Sequence, residues 1–239
     1  LSRLYVDDNQ LITLPESIGS LSNLEYLYLS GNQLTTLPFI GNLTNLKWLL
    51  LHDNQLTGEI PSEIGNLTNL TYLRLENNQL TGEIPPEIGQ TNLTSLWLND
   101  NQLSGEIPSS ILNKENITSI HLNNNQLTKI TSDDFVPYEG MMPNLEKLYL
   151  DHNHITGEIP SWLGEYLVPS TMGGTVSSID LKYNFFTSPI PENLCNFYEW
   201  PEDPIGYYGV ELSGNNLCPP YPDCGDGDLI TNIYYQNCT

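Results

Sequence analysis

A spacing of apolar residues and asparagine recurs along the chain every 22 to 24 residues in the first six units, and the last three units follow at steps of 28, 31 and 31 residues. In its clearest form, Leu24, Leu27 and Leu29 alternate with polar or aromatic residues, and Asn32 and Leu34 follow. This alternation predicts a short strand whose leucines point inward. The units start near Leu1, Leu24, Leu46, Leu70, Leu93, Ile117, Leu145, Val176 and Tyr207. Because one such strand cannot bury its apolar side, the nine units predict a stack with a parallel sheet and a continuous core.

Recurring Asn, Pro and Gly residues mark the turns of each unit. The Asn after each strand carries donors and acceptors for backbone groups of neighbouring turns, so the nine asparagines predict an internal hydrogen-bonded ladder. Pro in the Gly-Glu-Ile-Pro segments predicts a bend on the outer side. The Ile-Gly pairs predict short helical turns that end at a glycine with positive φ, where Asn113 replaces glycine in the fifth unit. These pairs are Ile18-Gly19, Ile40-Gly41, Ile64-Gly65 and Ile88-Gly89.

The full frame, Leu-x-x-Leu-x-Leu-x-x-Asn-x-Leu-x-Gly-x-Ile-Pro, resembles the plant-type subclass of leucine-rich repeats over residues 1–217. The resemblance implies an α/β-type solenoid: a right-handed superhelix with a parallel sheet on its concave face and short 3₁₀ or irregular segments on its convex side. It also implies similarity to polygalacturonase-inhibiting proteins and receptor-kinase ectodomains, or to related arrays on bacterial and algal surfaces. Residues 218–239 are expected to form a disulfide-stapled C-terminal cap.

The four cysteines, Cys195, Cys218, Cys224 and Cys238, all lie in the last fifth of the chain. An even number in a short segment is typical of a disulfide framework in an oxidising compartment. The resemblance to capped repeat arrays implies that Cys218 pairs with Cys224 and Cys195 with Cys238. Simple stacking of the units instead places Cys195 near Cys224. Four cysteines allow three connectivities, and the pairing stays open.

The charge of the chain argues against two classes of partner. Its 239 residues include 29 acidic and 7 basic side chains, for a net charge of −22. Without an excess of Lys and Arg, the chain is repelled by phosphate backbones and anionic membranes, so no nucleic acid partner is expected. The sequence contains no apolar run of about 18 residues, so no membrane insertion is predicted. It begins at Leu1 without a signal-peptide pattern, which favours a mature product or a fragment.

The outward residues of the strands are the candidate binding surface, because the repeats hold them in columns about 5 Å apart. Aromatic and basic side chains concentrate there, a composition typical of binding surfaces. The candidate ligand-binding residues are Tyr5, Tyr26, Tyr28, Trp48, His52, Tyr72, Arg74, Trp97, His121, Lys147 and Tyr149. Aromatics are expected to act as anchors, with Arg74 and Lys147 as carboxylate partners. The alternative is that the aromatics only stabilise the strands by stacking on neighbours.

The sequence predicts no catalytic, metal or cofactor site. Glu59, Glu83, Glu106 and Glu158 recur at one place in their units, but an exposed ridge lacks the apolar wall that would separate acid and base roles. The histidines of the Asp-His-Asn-His segment at 151–154 lack an evident third ligand for zinc. The protein is therefore not expected to be an enzyme.

Two further surface patterns each have two interpretations. A hydroxyl column at Thr35, Thr57, Thr81, Ser104, Thr128, Thr156 and Thr187 favours a side-chain hydrogen-bond ladder, although a flat array of threonines can bind ice in a repeat protein of this type. Asn-x-Ser/Thr sequons begin at Asn42, Asn66, Asn69, Asn92, Asn116 and Asn237. They are either glycosylated in a eukaryotic secretory pathway or simply produced by the repeat template.

Together these patterns predict a secreted or cell-surface module that binds a protein, a peptide or a polysaccharide through its concave strand face, without catalysis. The main alternative is a structural array, a spacer or lattice component that associates with copies of itself. Ice binding is the third hypothesis.

Overall fold

A computed structural model describes residues 1–131, 142–165, 178–197, 209–219 and 222. Several predicted features lie outside these residues: the unit starts at Val176 and Tyr207, the cysteines Cys224 and Cys238, the sequon at Asn237 and most of the expected cap. The division into repeats at 1–217 and a cap at 218–239 therefore stays a prediction. Within the described ranges, no helix combines the length and the apolar character needed to cross a bilayer.

Short strands dominate the described residues. In chain order they are β1 Arg3–Tyr5, β2 Tyr26–Tyr28, β3 Trp48–Leu50, β4 Thr57–Glu59, β5 Tyr72–Arg74, β6 Gln79–Glu83, β7 Ser95–Trp97, β8 Gln102–Glu106, β9 Ser119–His121, β10 Gln126–Lys129, β11 Lys147–Tyr149, β12 Thr156–Glu158, β13 Ser178–Asp180, β14 Phe185–Thr187 and β15 Gly209–Glu211. The α-helices are α1 Ser109–Leu112 and α2 Trp162–Glu165, and 3₁₀ helices span Glu16–Ser20, Ser62–Asn66, Pro86–Gln90 and Glu192–Phe197. In the described residues, six of the units thus combine a strand with a short helical return segment.

One parallel sheet runs through the whole stack, in the order β1-β2-β3-β5-β7-β9-β11-β13-β15. Its strands pair in an unbroken register, so that the central residue Leu4 lies beside Leu27, and Leu27 beside Leu49. Leu27 and Leu49 are fully buried, and leucine or isoleucine fills the same inward place through β13, with Val210 in β15. The predicted α/β solenoid with a parallel sheet is confirmed.

A second side of the stack carries shorter sheets. Strands β4, β6, β8 and β10 form a four-stranded parallel sheet, named the lateral sheet below, and β12 pairs with β14. The glycines of the Gly-Glu-Ile-Pro segments, Gly58, Gly82, Gly105 and Gly157, have φ angles of 82°, 77°, 78° and 91°. These are the positions where the backbone requires glycine, because other residues rarely adopt such angles.

The prediction of positive φ at the Ile-Gly pairs was wrong. Gly19, Gly65 and Gly89 lie inside 3₁₀ helices and have ordinary negative φ. Their glycine is explained by space, because a Cβ on Gly19 would lie 2.7 Å from the carbonyl oxygen of Phe39 in the next unit. Asn113, with φ −91°, is not left-handed either. At these places glycine lets one turn approach the next closely.

An asparagine ladder joins each unit to the one before it. Asn54 donates through Nδ2 to the carbonyl of Leu29 at 3.0 Å, and its Oδ1 accepts the Leu34 N–H at 3.0 Å. The same pattern repeats at Asn32, Asn78, Asn101, Asn125, Asn153, Asn184 and Asn215. The prediction of nine ladder members was wrong for Asn9, which is exposed and donates only to carbonyls of its own turn. The reason is that β1 is the end strand of the sheet in the described residues, where no preceding strand offers Asn9 a carbonyl.

Candidate functional site

The register of the long sheet places its outward residues in two columns, which together are named the strand face. The first column is Arg3, Tyr26, Trp48, Tyr72, Ser95, Ser119, Lys147, Ser178 and Gly209, and the second is Tyr5, Tyr28, Leu50, Arg74, Trp97, His121, Tyr149, Asp180 and Glu211. All candidate ligand-binding residues except His52 lie in these columns. His52 follows the end of β3 by two residues and is half-buried.

Five aromatic rings form a connected group on the first strands of the strand face. Tyr5 meets Tyr28 edge to face, with ring centroids 4.6 Å apart. Trp48 stacks on Tyr72 at 5.2 Å and on Tyr28 at 6.2 Å, and Tyr26 meets its edge at 5.8 Å. Tyr5 is 51% exposed and Trp48 is 39% exposed. The rings therefore support one another while keeping part of their surface in water.

A second group continues along the same face. The Arg74 guanidinium lies 4.5 Å from the centroid of the Trp97 ring, a cation–π geometry. Trp97 stacks on His121 at 4.1 Å, and His121 meets Tyr149 edge to face at 4.7 Å. The side chains from Arg74 to Tyr149 thus form a second continuous row across four strands.

Two serines fix the rings of this second group. Trp97 donates from Nε1 to Ser95 Oγ at 2.8 Å, and His121 Nε2 lies 2.7 Å from Ser119 Oγ. Sequence reasoning missed both serines. The signal that could have found them is their spacing, since residues two apart on a strand lie on the same face.

Three basic residues in or beside the strand face already have carboxylate partners. The pairs are Lys47–Glu25 at 2.6 Å, Lys182–Asp180 at 3.0 Å and Arg74–Glu76. Glu76 is only 3% exposed, so Arg74 compensates a buried carboxylate rather than waiting for one on a ligand. Lys147 is exposed, and no carboxylate among the described residues lies within 4.0 Å of its ammonium. Of the two predicted carboxylate partners, Lys147 is the one that remains available.

The pKa values of His121 on the strand face and of His52 next to it are both lowered. Burial, together with the charges of Lys147 and Arg74, lowers the pKa of His121 to about 4. Burial also lowers the pKa of His52, although the nearby Glu76 carboxylate opposes this. At neutral pH, His121 therefore offers an uncharged aromatic ring rather than a cation.

Comparison with family models identifies the repeat. A model described as "Leucine-rich repeat region" matches residues 2–172, and one described as "Leucine Rich Repeat" matches residues 175–197. The chain belongs to the leucine-rich repeat family. No curated protein sequence matches it closely enough to give a relative.

Solved leucine-rich repeat structures from plants are similar to this chain. The plant peptide hormone receptor RGFR1 in complex with RGF2 is 31% identical, with a TM-score of 0.71 over 87% of this chain and 31% of that one. The Arabidopsis receptor kinase HAESA, in complex with the peptide hormone IDA and the co-receptor SERK1, is 31% identical, with a TM-score of 0.72 over 85% of this chain and 32% of that one. The chain thus spans about a third of these receptors. A plant ice-binding protein is 28% identical, with a TM-score of 0.59 over 95% of this chain and 77% of that one.

Two threonine hydroxyls of the lateral sheet in this leucine-rich repeat array donate to backbone carbonyls of the preceding unit. Thr57 Oγ1 donates to the Thr35 carbonyl at 3.1 Å, and Thr128 Oγ1 to the Gly105 carbonyl at 3.0 Å. The strands are staggered, so that Thr57 lies beside Gln79 and not beside another threonine. These contacts support the hydrogen-bond ladder that the sequence predicts.

The other predicted surface sites are placed as follows. The recurrent glutamates Glu59, Glu83, Glu106 and Glu158 are all exposed. Across the described ranges, no group of three or more His, Cys, Asp or Glu side chains could hold a metal ion. The sequon residues Asn42, Asn66, Asn69, Asn92 and Asn116 are exposed, and Asn69 donates to the Thr44 carbonyl at 2.8 Å. None of the described cysteines is a free thiol, and the disulfide pairing stays a prediction.

Proposed function

We propose that this leucine-rich repeat array is a non-catalytic extracellular recognition module whose strand face binds a protein or a peptide. The main support is the connected aromatic group from Tyr5 to Tyr72. Large aromatic side chains that remain partly exposed and clustered are typical of interaction sites. The peptide complexes of the similar receptors RGFR1 and HAESA support the same class of ligand.

The size of the row suggests the length of the ligand. The row from Tyr5 of β1 to Tyr149 of β11 crosses seven neighbouring strands. At a spacing of about 4.8 Å between strands, it is about 29 Å long. An extended peptide of about nine residues covers this distance. Because the rings already contact one another, little side-chain entropy is lost on binding.

The basic side chains at the two ends of the row suggest how a bound peptide is oriented. The aromatic group at the first strands is flanked by Arg3, whose guanidinium lies 4.8 Å from the Tyr26 ring centroid. Lys147 marks the other end of the row. A bound segment with apolar or aromatic residues over Trp48 and a carboxylate near Lys147 satisfies both ends.

The double variant Trp48→Ala, Trp97→Ala tests this proposal. Peptides that bind the wild-type protein are first selected from a displayed library of random dodecapeptides, and their affinities are then measured for both proteins. We expect the double variant to lose about 100-fold in affinity, because each tryptophan is an anchor of one aromatic group. Phe185→Ala is the matched control, since Phe185 is a 47% exposed aromatic residue in β14, away from the strand face.

Thermal unfolding separates binding from structure. A midpoint within about 3 °C of the wild type supports a binding role, because two half-exposed rings contribute little to folding. A large drop in the midpoint with unchanged affinity would instead assign the aromatics to strand stabilisation. If the protein bound oligosaccharides on a glycan array and the library yielded no peptide, the ligand would be a polysaccharide instead of a protein or peptide.

The extracellular part of the proposal has its own test. Exposed sequons such as Asn42 and Asn66 are accessible to glycosylation. Mass spectrometry of the native protein should find glycans there. Unmodified Asn42, Asn66 and Asn92 together with reduced cysteines would argue for an intracellular protein instead.

Ice binding is a second candidate, supported by the similar plant ice-binding protein and by the exposed Thr57, Thr81 and Thr128 of the lateral sheet. Thermal hysteresis and ice-crystal shaping measure it directly. If the activity exists, Thr81→Lys should abolish it, whereas the double tryptophan variant should retain it. Absence of both effects leaves recognition through the strand face as the proposal.

A further inference from the structure

The lateral sheet has an open edge at β4. Thr57 donates its backbone N–H to the Thr35 carbonyl at 3.0 Å, towards the preceding unit. Because alternate residues of a strand face the same neighbour, the Glu59 N–H points in this direction too. Among the described residues, no backbone acceptor of the preceding unit reaches it. The second unit has Leu37-Pro38-Phe39 where later units have Gly-Glu-Ile-Pro, so it supplies no strand at this level.

The glycines of the lateral sheet show the same opening. A Cβ placed on Gly82 would lie 2.7 Å from the side chain of Glu59, and one on Gly105 would lie 2.8 Å from Glu83. Each glutamate thus lies against the glycine of the following unit. A Cβ on Gly58 would have no atom within 4 Å. The surface beside β4 is therefore free in a way that the surfaces beside β6 and β8 are not.

A cavity of about 460 Å³ adjoins this edge. Its apolar wall includes Leu37, Phe39 and Ile64, and its rim includes the acidic residues Glu59 and Glu63, of which Glu59 leans towards Gly82. Phe39 is 69% exposed, the highest value among the exposed large apolar side chains of the described residues. An unpaired strand edge, an apolar cavity and two carboxylates thus meet at one place, outside the strand face.

We propose that this cavity and the β4 edge form a second docking site, which binds an extended segment of a partner protein. The segment adds to β4 as a further strand and accepts a hydrogen bond from the Glu59 N–H. It places an apolar side chain in the cavity against Phe39, and a Lys or Arg beside Glu63.

Charge decides between a foreign segment and a second copy of this chain. The chain has only seven basic residues, and Lys47, Arg74 and Lys182 are already in ion pairs. A second copy with net charge −22 is also repelled by the carboxylates at the rim. A basic, apolar segment of another protein fits the site on both counts.

The test uses a displayed library of random heptapeptides, selected on the whole protein carrying Trp48→Ala and Trp97→Ala, so that peptides anchored on the strand face are discarded. We expect enrichment of sequences with an apolar residue next to Lys or Arg. Their affinity should fall about tenfold in Phe39→Ser and about tenfold in Glu63→Lys, because an anchor and a charge partner are lost. Both residues are exposed, so the variants should fold, as unchanged thermal midpoints would show.

Three controls make the result specific. Ile12→Ser removes another exposed apolar residue, and Glu106→Lys reverses another exposed glutamate of the lateral sheet, but neither lines the cavity. Both should bind the selected peptides like the wild type, as should the double tryptophan variant. In NMR spectra, bound peptide should shift the Glu59 amide resonance.

Two outcomes would overturn the proposal. One is selected peptides that bind Phe39→Ser and Glu63→Lys with wild-type affinity, or no selected peptides at all. The other is dimerisation in light scattering that Phe39→Ser abolishes, since the site would then serve a second copy of the chain.

Discussion

The inward and outward rows of the long sheet belong to the same strands but follow different rules. The inward row is almost uniform: Leu27, Leu49, Leu73 and Leu96 are fully buried at equivalent places. The outward row changes from tyrosine to leucine, arginine, tryptophan and histidine without any change of register. The inward row therefore carries the stability of the stack, which leaves the outward row free to vary for recognition.

A matched pair of leucines tests this contrast most strongly. Leu96→Ala should lower the free energy of unfolding by about 3 kcal/mol, because it opens a cavity in a fully buried row. Leu50→Ala, on the half-buried outward row, should cost about 1 kcal/mol or less. Chemical denaturation measures both changes. Equal losses in the free energy of unfolding would show that both rows contribute equally to stability.

The asparagine ladder offers a second matched pair. Asn125→Ala should cost about 2 kcal/mol, because the Leu103 N–H and the Leu98 carbonyl lose their buried partner. Asn9→Ala should cost only a few tenths of a kcal/mol, since Asn9 is exposed and bonds within its own turn. A similar loss in both variants would mean that the local turn, and not the link between units, is what the asparagine stabilises.

His121 belongs to the outward row but is partly buried, between Trp97 and Tyr149, so it should affect stability as inward residues do. Its folded pKa of about 4 lies below the usual 6.5, so the unfolded chain binds the proton first as pH falls. Its contribution to stability is full above pH 6.5 and declines between pH 6.5 and 4. Allowing for screening by solvent, we expect a loss of about 1 kcal/mol over this range.

The variant His121→Gln isolates this contribution from the other titrating groups. Denaturation at a series of pH values should show a shallower acid slope in the variant than in the wild type. Parallel slopes would indicate that His121 is solvated like an ordinary surface histidine.

The sequence predicted what repeats, and missed what depends on individual contacts. The spacing of Leu24, Leu27 and Leu29 was enough to predict the two outward columns in their observed register, because a one-residue shift would turn every leucine outward. It could not show that Arg74 pairs with Glu76, since that contact depends on the rotamers of two side chains on one turn. The role of the Ile-Gly glycines was missed for a similar reason. Close approach to the next turn depends on how units stack, whereas positive φ is a local property.

The alternation placed ten of the eleven candidate residues on the strand face, where the structure has them. Their role in binding stays a prediction. Their grouping into two rows of contacting rings, and the neutral state of His121, depend on distances that a one-dimensional pattern does not contain. The open edge at β4 arises from an absence, the missing Gly-Glu-Ile-Pro of the second unit, and becomes meaningful only beside the strand that lacks a neighbour.

The asparagine ladder also determines the order in which the units can be completed during synthesis. The Leu34 N–H donates to Asn54, and the Leu56 N–H donates to Asn78. Each unit therefore depends on an acceptor that the following unit supplies. On the ribosome the successor emerges later, and a unit therefore stays incomplete until roughly one more repeat of about 23 residues has left the exit tunnel. Folding during synthesis should trail translation by a constant lag of one repeat.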